Sequence, residues 1–200
     1  MSALTLYDFP LSGNCYKVRL LLAMLGLPYQ RIRIDSTTLT ATQTPEFRRI
    51  NPRGQIPVLV DGDITIWDSM AILVYLARRE QRSDWLPNDA LGEARVMQWL
   101  AVSENELLYG LARARATIRF GRPFNLEQCQ QEAHAGLNTL NLQLEQSPWL
   151  CGEMPTIADL ACYPYVHLAP EAEVSLEAYP AVREWITRLE TLPDWVPIDA

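Results

Sequence analysis

Two segments in the first half of the chain decide its fold: QIPVLV at residues 55–60 and ITIWDSMA at residues 64–71. The turn signal DGD at residues 61–63 separates them, so the pattern predicts a β-hairpin that leads directly into a helix. Pro57 stands at the mouth of the first strand, where it cannot donate a hydrogen bond to the sheet. A trans proline at a strand start is the commoner explanation. A cis Ile56–Pro57 bond would instead present the Ile56 backbone to an outside peptide.

The pair Asp68-Ser69, at the head of the next helix, favours the cis explanation. A carboxylate there suits an ammonium group, while a hydroxyl beside the free N–H groups of a helix N-terminus suits a carboxylate. A backbone-pairing edge next to groups that fit a free amino acid end predicts a binding site for a small peptide.

The composition excludes several classes of protein. A net charge of −7 argues against a nucleic-acid-binding surface. No apolar run reaches the roughly 20 residues of a membrane span, and the start of the chain lacks the basic region of a signal peptide. The four cysteines form no CxxC pair and the two histidines lie far apart, so neither a disulfide framework nor a metal site is expected. We therefore expect a cytoplasmic protein.

The order of elements predicts two domains. Alternating apolar patterns at residues 4–7 and 29–34 indicate strands on either side of a buried helix, and the hairpin follows. This order is typical of a small α/β domain with one antiparallel edge, covering residues 1–79. After a polar connector, residues 88–200 carry only helical signals, including a long helix from about residue 90 to 120.

Four motifs give the whole chain a resemblance to the glutathione transferase superfamily: SGNCYKVR at 12–19, NPRGQIP at 51–57, DSMAI at 68–72 and TIAD at 156–159. The resemblance implies a thioredoxin-like N-terminal domain and an all-α C-terminal domain that forms the acceptor-substrate pocket. It also implies a homodimer, with glutathione as co-substrate and no further cofactor or metal.

The expected activity is that of a glutathione S-transferase, which joins glutathione to a small electrophile. By resemblance, the Ser12 hydroxyl donates to the glutathione sulfur, and Asn14 could share or take that role. The thiolate is the nucleophile, and a free thiol is mostly protonated at neutral pH. A hydrogen bond and the dipole of the first helix, each supplying about 1 kcal/mol, would lower the thiol pKa by more than one unit.

The same resemblance assigns the rest of the glutathione site. Ile56, ahead of a cis Pro57, pairs its backbone with the cysteinyl part of glutathione. Asp68 and Ser69 hold the γ-glutamyl ammonium and carboxylate. The Lys or His that many members place near residues 42–44 for the glycyl carboxylate is missing here, and Arg53 or Gln55 could substitute.

The long helix supplies the candidate acceptor pocket. Tyr109 lines the pocket or packs at a domain seam, and Arg113 stands beside a row of further arginines, Arg115, Arg119 and Arg122. This stripe is either a solvated face or a sign of an anionic second substrate. Glu104 interrupts an apolar stretch, and by resemblance it could reach across a dimer to the glutathione amine.

Three alternatives to a transferase stay open. Cys15 at a helix N-terminus could form mixed disulfides, as in a glutathione-dependent thiol reductase, or could pack as a small apolar residue. The arginine stripe would suit an isomerase of carboxylated dienes. A non-catalytic binding or regulatory protein could also keep this scaffold, although the intact Asp68-Ser69 pair argues against it.

Overall fold

A computed structural model of the chain describes residues 3–35 and 40–200. The chain divides into two compact units, the first made of Met1–Glu80 with Pro193–Ala200 and the second of Gln81–Leu192.

The first unit is built on a four-stranded sheet with the order β2-β1-β3-β4. Its strands are β1 (Leu4–Asp8), β2 (Tyr29–Arg33), β3 (Val58–Asp61) and β4 (Ile64–Trp67). β1 and β2 are parallel, whereas β3 is antiparallel to both β1 and β4. The predicted hairpin and the predicted α/β domain with one antiparallel edge are therefore confirmed.

Among the residues that the structure describes, three helices complete this unit: α1 (Gly13–Met24), α2 (Pro45–Ile50) and α3 (Ser69–Arg79). α1 packs against α3. The fully buried apolar side chains of this unit include Leu6, Leu20, Leu21, Leu22, Leu59, Ile72, Leu73 and Leu76. The side chains of Ser12 and Asp68 cap α1 and α3, so each helix begins at a residue whose oxygen accepts from the first turn.

The last residues of the chain are held by side chains of α1 and β2. The Tyr16 hydroxyl donates to the Val196 carbonyl at 2.7 Å. Arg19 donates to the Ile198 carbonyl at 2.6 Å, and Arg31 donates to the Ala200 carbonyl at 2.8 Å. The sequence predicted a helical domain that runs to residue 200, whereas residues 193–200 belong to the sheet-containing unit.

The second unit is helical, as predicted. Its elements are α4 (Ala90–Val102), a π-helical segment (Ser103–Ala112), α5 (Arg113–Phe120), α6 (Leu126–Leu144), α7 (Ile157–His167), a short 3₁₀ turn (Ala169–Ala172) and α8 (Pro180–Glu190). The predicted long helix is present, but its middle third is π-helical, which no local pattern had indicated. Gly121, at φ +62°, ends it in the left-handed conformation.

Close packing of α6 against the π-helical segment depends on two glycines. A Cβ atom on Gly110 would lie 2.4 Å from the Ala133 nitrogen, and one on Gly136 would lie 2.9 Å from a Leu107 methyl group. Backbone cannot yield at the first position, so a side chain there would separate the helices. No helix among residues 3–35 and 40–200 is long and apolar enough to span a membrane.

Candidate active site

The register of the sheet brings three chain segments to one of its ends. Tyr7 at the end of β1 pairs with Val58 at the start of β3, and Val58 pairs with Trp67 at the end of β4. The chain therefore leaves β1, enters β3 and leaves β4 at the same end. The segments at that end carry the predicted site residues of this unit: Ser12, Asn14, Arg53, Gln55, Ile56, Pro57, Asp68 and Ser69.

The N-terminus of α1 presents several hydrogen-bond donors. The Ser12 oxygen accepts from the Cys15 N–H at 3.2 Å, which leaves the hydroxyl proton available to donate elsewhere. Within the described residues, the N–H groups of Gly13 and Asn14 make no hydrogen bond. Buried Arg19 holds the preceding loop by donating to the Pro10 carbonyl at 3.0 Å. This end of the helix suits an anion such as a thiolate.

Asn14 lies in the first turn of the same helix, and its Oδ1 atom is buried without a hydrogen-bond partner in the described structure. Buried polar atoms are nearly always satisfied, so an exception in a native protein calls for an explanation. A donor supplied by a bound ligand would satisfy this oxygen. Ser12 and Asn14, the two residues predicted to act on a thiol, therefore stand on one helix turn.

Cys15 differs from both of its polar neighbours because its side chain is fully buried. Burial raises the pKa of its thiol to about 12, the charge of Asp8 adds to that rise, and a hydrogen bond with Ser12 opposes it. A thiol with this pKa stays protonated at neutral pH. The geometry therefore favours the interpretation in which Cys15 packs as a small apolar residue.

The segment from Asn51 to Pro57 is shaped by side-chain and backbone constraints before it enters β3. Asn51 is buried; it donates to the Gln55 carbonyl at 2.7 Å and accepts from the Arg53 N–H at 3.0 Å. Gly54 has φ +60°, and a Cβ atom there would lie 2.8 Å from the Thr42 carbonyl oxygen. Only glycine suits this position, on both grounds.

The Ile56–Pro57 peptide bond is cis. Ile56 precedes β3 and has no partner in the sheet ladder. Its backbone groups make no hydrogen bond among the residues that the structure describes. Pro57 is buried, whereas the side chain of Gln55 is exposed. An extended peptide could pair with Ile56, because this is where the edge of the unit offers unused backbone donors and acceptors.

Residues 42–44 have structural contacts. The Gln43 amide donates to the Gly54 carbonyl at 2.9 Å and accepts from the Arg48 guanidinium. The Thr44 hydroxyl caps α2 by accepting from the Phe47 N–H at 3.2 Å. The position that could have held a cationic anchor thus holds an amide that braces the Gly54 turn.

Asp68 and Ser69 stand at the head of α3. Asp68 has φ +81°, a conformation that L residues rarely adopt, and its Oδ1 atom accepts from the Met70 N–H at 3.0 Å. Its Oδ2 atom accepts from Arg53 at 3.1 Å. The Ser69 hydroxyl is buried and has no hydrogen-bond partner within the described structure. Strained backbone next to an unsatisfied hydroxyl is an arrangement found at binding sites.

In the second unit, Tyr109 and Arg113 line one cavity of about 260 Å³. We call it the Arg113 cavity; its other lining residues are Pro123, Phe124, Asn125, Gln128, Cys129 and Glu132. The predicted arginine stripe does not face it as a whole. Arg115 and Arg119 instead donate to the Glu171 carboxylate, each at 2.7 Å. Glu104 lies half-buried in the π-helical segment.

No group of three or more His, Cys, Asp or Glu in the described parts of the chain could hold a metal ion. Sequence reasoning missed Asn51, which fixes the loop before Ile56. The signal was present, because an Asn followed by Pro is typical of a turn in which the Asn side chain binds the backbone two residues on.

Comparisons with known proteins identify the superfamily. The glutathione S-transferase N-terminal domain model matches residues 2–78, and the C-terminal domain model matches residues 123–188. This chain belongs to the glutathione S-transferase superfamily. A disulfide-bond oxidoreductase of Escherichia coli (strain K12), YfcG, is 34% identical, the match covering 94% of this chain and 90% of that protein.

Solved structures of the superfamily share the fold. A glutathione S-transferase from Pseudomonas fluorescens has a TM-score of 0.92 at 34% identity, with 98% of this chain and 99% of that chain covered. Another family member from the same organism, solved with two glutathione molecules bound, has a TM-score of 0.85 at 27% identity, with 96% and 90% covered. The thioredoxin-like and all-α architecture expected from the sequence is confirmed.

Proposed function

We propose that this protein is a glutathione S-transferase that binds glutathione at the sheet end of the first unit and transfers it to a small electrophile. The observation that carries the proposal is the set of unused hydrogen-bonding groups at that end. They belong to three segments: the N-terminus of α1, the backbone of Ile56 and the head of α3. Glutathione is a peptide with a thiol, a free amine and two carboxylates, and these groups match that set.

In this proposal, glutathione lies extended along the edge. Its cysteinyl backbone pairs with Ile56, its ammonium binds Asp68, and its γ-glutamyl carboxylate accepts from the Ser69 hydroxyl. Arg53 donates to Asp68, and its Cζ atom lies 6.0 Å from the centre of the Trp67 ring. The site therefore has a cation for the glycyl carboxylate of glutathione. The exposed Gln55 amide supplies a further donor.

The chemical step is nucleophilic attack by bound thiolate. The Ser12 hydroxyl donates to the sulfur, and the free N–H groups at the start of α1 favour the same negative charge. The sulfur then forms a bond to the electrophilic carbon, while the leaving group departs with the electron pair of its bond. Asn14 contributes to the same turn of helix and orients the thiol before ionisation.

Ser12→Ala tests this assignment. We expect the pKa of the bound glutathione thiol, followed by thiolate absorbance, to rise by about one unit, and turnover at neutral pH to fall about tenfold. Glutathione affinity should change less than about threefold, because Ser12 does not hold the peptide. Ser83→Ala, at an exposed serine of the connector, is the matched control. Equal losses of affinity and turnover in Ser12→Ala would contradict the assigned role.

A second candidate function is glutathione-dependent disulfide reduction, which the oxidoreductase relative favours. Since Cys15 is buried with a pKa of about 12, bound glutathione itself would attack the disulfide. Its sulfur would form a mixed disulfide and release one thiolate. A second glutathione would then displace the other thiolate and leave glutathione disulfide. The neighbour with two glutathione molecules bound is consistent with such a site.

Cys15→Ala separates the two thiol assignments. If bound glutathione carries the reaction, the variant should reduce hydroxyethyl disulfide within about twofold of the wild-type rate. Loss of reduction with intact glutathione binding would make Cys15 the reacting thiol. Comparing rates with hydroxyethyl disulfide and with an aryl chloride in the wild type then decides between reductase and transferase.

A homodimer and a cytoplasmic location complete the proposal. Some of the exposed apolar side chains suit burial against a second copy, among them Ile64 and Trp67 in the first unit and Leu91 and Met97 in the second. Glu104 of such a partner copy could bind the glutathione amine. The cysteines Cys15, Cys129, Cys151 and Cys162 are all free thiols, which suits a reducing compartment. Sedimentation of Met97→Glu tests the dimer; an unchanged mass would exclude Met97 from the interface.

A further inference from the structure

The loop between β1 and Ser12 begins at a buried carboxylate. Asp8, the last residue of β1, is completely buried. Its Oδ1 atom accepts from the Arg19 guanidinium and its Oδ2 atom accepts from Arg31, each at 2.5 Å. We call these three residues the Asp8 cluster. Because a buried carboxylate is costly unless it is paired, the two guanidiniums stabilise its charge inside the fold.

Arg19 connects the Asp8 cluster to the loop that leads to Ser12. Its side chain is 2% exposed, and its Nη2 atom donates to the Pro10 carbonyl at 3.0 Å. The Ser12 N–H closes the same turn by donating to the Phe9 carbonyl at 2.9 Å. One buried side chain thus fixes both the strand end before the turn and a carbonyl inside it. The position of the Ser12 hydroxyl therefore depends on how Arg19 is oriented.

The segment formed by residues 196–200 contacts the same guanidinium. This segment lies in the first unit, as Arg19 does. Arg19 donates to the Ile198 carbonyl at 2.6 Å. The Tyr16 hydroxyl donates to the Val196 carbonyl at 2.7 Å, and the centre of the Tyr16 ring lies 5.5 Å from the Arg19 Cζ atom. A guanidinium is planar with its N–H groups in a fixed fork, so acceptors in the loop and in the segment together define its orientation.

The charges of the Asp8 cluster act close to Ser12. The Ser12 oxygen accepts from the Cys15 N–H at 3.2 Å. Burial is the main cause that raises the pKa of the Cys15 thiol to about 12; the Asp8 charge adds to the rise and the Arg19 charge opposes it. A thiolate held by Ser12 would meet the same two charges. A variant that tests geometry alone must therefore keep the positive charge of Arg19.

We propose that Arg19 is a positioning residue for the ionisation of bound glutathione, and that residues 196–200 set its orientation. This inference rests on the proposed transferase function, because it concerns how Ser12 reaches the glutathione sulfur. Arg19 fixes the turn before α1 and thereby directs the Ser12 hydroxyl, whereas it does not itself contact the sulfur. The 196–200 segment then supports the thiol site, although it lies far from Ser12 in the sequence.

Arg19→Lys tests the geometry, because it keeps a charge beside Asp8 but loses the fork that spans two carbonyls. We expect the pKa of the bound glutathione thiol, followed by thiolate absorbance against pH, to rise by about half a unit, and turnover at neutral pH to fall about threefold. Glutathione affinity should change less than about twofold. In a Ser12→Ala background, Arg19→Lys should raise the thiol pKa no further, because it acts through Ser12. An additive rise would contradict that role.

Tyr16→Phe tests the 196–200 segment by removing a single hydroxyl group. The variant loses the donor that binds the segment and keeps the ring beside Arg19. Its matched control is Tyr75→Phe, which removes a hydroxyl that donates to Asp61 at 2.8 Å at the other end of the sheet. Both variants should lose stability, but only Tyr16→Phe should raise the thiol pKa, by about 0.3 units, with turnover about twofold lower. Equal thiol pKa values in the two variants would contradict the role of the segment.

The outcomes separate this inference from the function on which it rests. If wild type does not ionise bound glutathione, or if Ser12→Ala leaves the thiol pKa unchanged, both are overturned. If the thiol pKa is lowered in wild type and Ser12→Ala raises it, an unchanged value in folded Arg19→Lys overturns the inference alone. If Arg19→Lys does not fold, Tyr16→Phe and its combination with Ser12→Ala decide in the same way.

Discussion

Two aspartates at the heads of helices show how differently one type of residue can be used. Asp68 begins α3 and Asp159 lies in the first turn of α7, and each accepts backbone hydrogen bonds. The Asp159 carboxylate is completely buried; it accepts from the Leu150 N–H at 3.1 Å, the Thr156 N–H at 2.9 Å and the Trp185 indole at 2.9 Å. These three donors are all groups of the protein itself.

Asp68 is 24% exposed, and its second oxygen pairs with an arginine that is 49% exposed. Its backbone is strained at φ +81°, and the hydroxyl of the next residue, Ser69, has no partner in the described structure. Such strain costs of order 1–3 kcal/mol and persists mainly where function needs it. A structural cap thus saturates its hydrogen bonds, whereas the binding site proposed at Asp68 and Ser69 leaves some of them for a ligand.

The largest expected effect follows from removing the saturated acid. Asp159→Ala should lower the free energy of unfolding by at least about 3 kcal/mol, because three buried donors lose their acceptor at about 1 kcal/mol or more each. Urea unfolding measures this. Asp84→Ala, which removes an exposed acid paired with Arg82, should change stability by less than about 1 kcal/mol. A loss below about 1 kcal/mol in Asp159→Ala would show that this carboxylate does not hold the α7 cap.

The buried Asp159 carboxylate also makes the stability of the protein depend on pH. Burial raises the pKa of Asp159 above its ordinary value of 3.8, with the hydrogen bonds from Leu150 and Thr156 opposing the rise. Between 3.8 and the raised pKa the folded protein binds more protons than the unfolded chain, so this residue makes stability fall as pH rises through that window. Above the raised pKa its contribution is constant. Asp159→Asn should remove this slope.

A change of intermediate size is expected at Asp68, whose carboxylate we propose to bind the glutathione amine. Asp68→Asn keeps the cap but removes the charge, so unfolding should change by less than about 1 kcal/mol. Glutathione affinity should fall about ten- to a hundredfold, since a hydrogen bond between charged groups contributes about 1.5–3 kcal/mol. Calorimetric titration of wild type and Asp68→Asn with glutathione measures the two affinities. With a glutathione analogue that lacks the amine, wild type and variant should bind equally; a difference that persists would mean that Asp68 acts on another group.

Local features of this fold could be predicted, because their causes lie within a few residues. The turn at residues 61–63 appears where the sequence predicts it, and the helix caps at Ser12 and at Thr156 with Asp159 are equally local. Each involves partners no more than three positions apart, so the neighbouring residues in the sequence are enough to predict it.

Features that depend on distant partners could not be predicted. Arg115 and Glu171 are 56 positions apart, and nothing near either residue indicates that they pair. The same holds for Arg19 and the Ile198 carbonyl, which hold the last residues of the chain to the first unit. The sequence indicated a row of arginines on this helix, but only the structure shows that Arg115 and Arg119 pair with Glu171.

The smallest expected effect tests the unsatisfied hydroxyl itself. Ser69→Ala should weaken glutathione binding about three- to tenfold, the contribution of one hydrogen bond, as measured by calorimetry. Stability should stay constant or rise by up to about 1 kcal/mol, because a buried hydroxyl without a protein partner is removed and alanine favours the helix. Ser103→Ala provides the opposite case: its hydroxyl donates to the Ala161 carbonyl at 2.8 Å, so stability should fall and glutathione affinity should not. If Ser69→Ala behaved like Ser103→Ala, the Ser69 hydroxyl would be part of the fold, and the distinction between a saturated cap and an open site would fail at the residue that defines it most sharply.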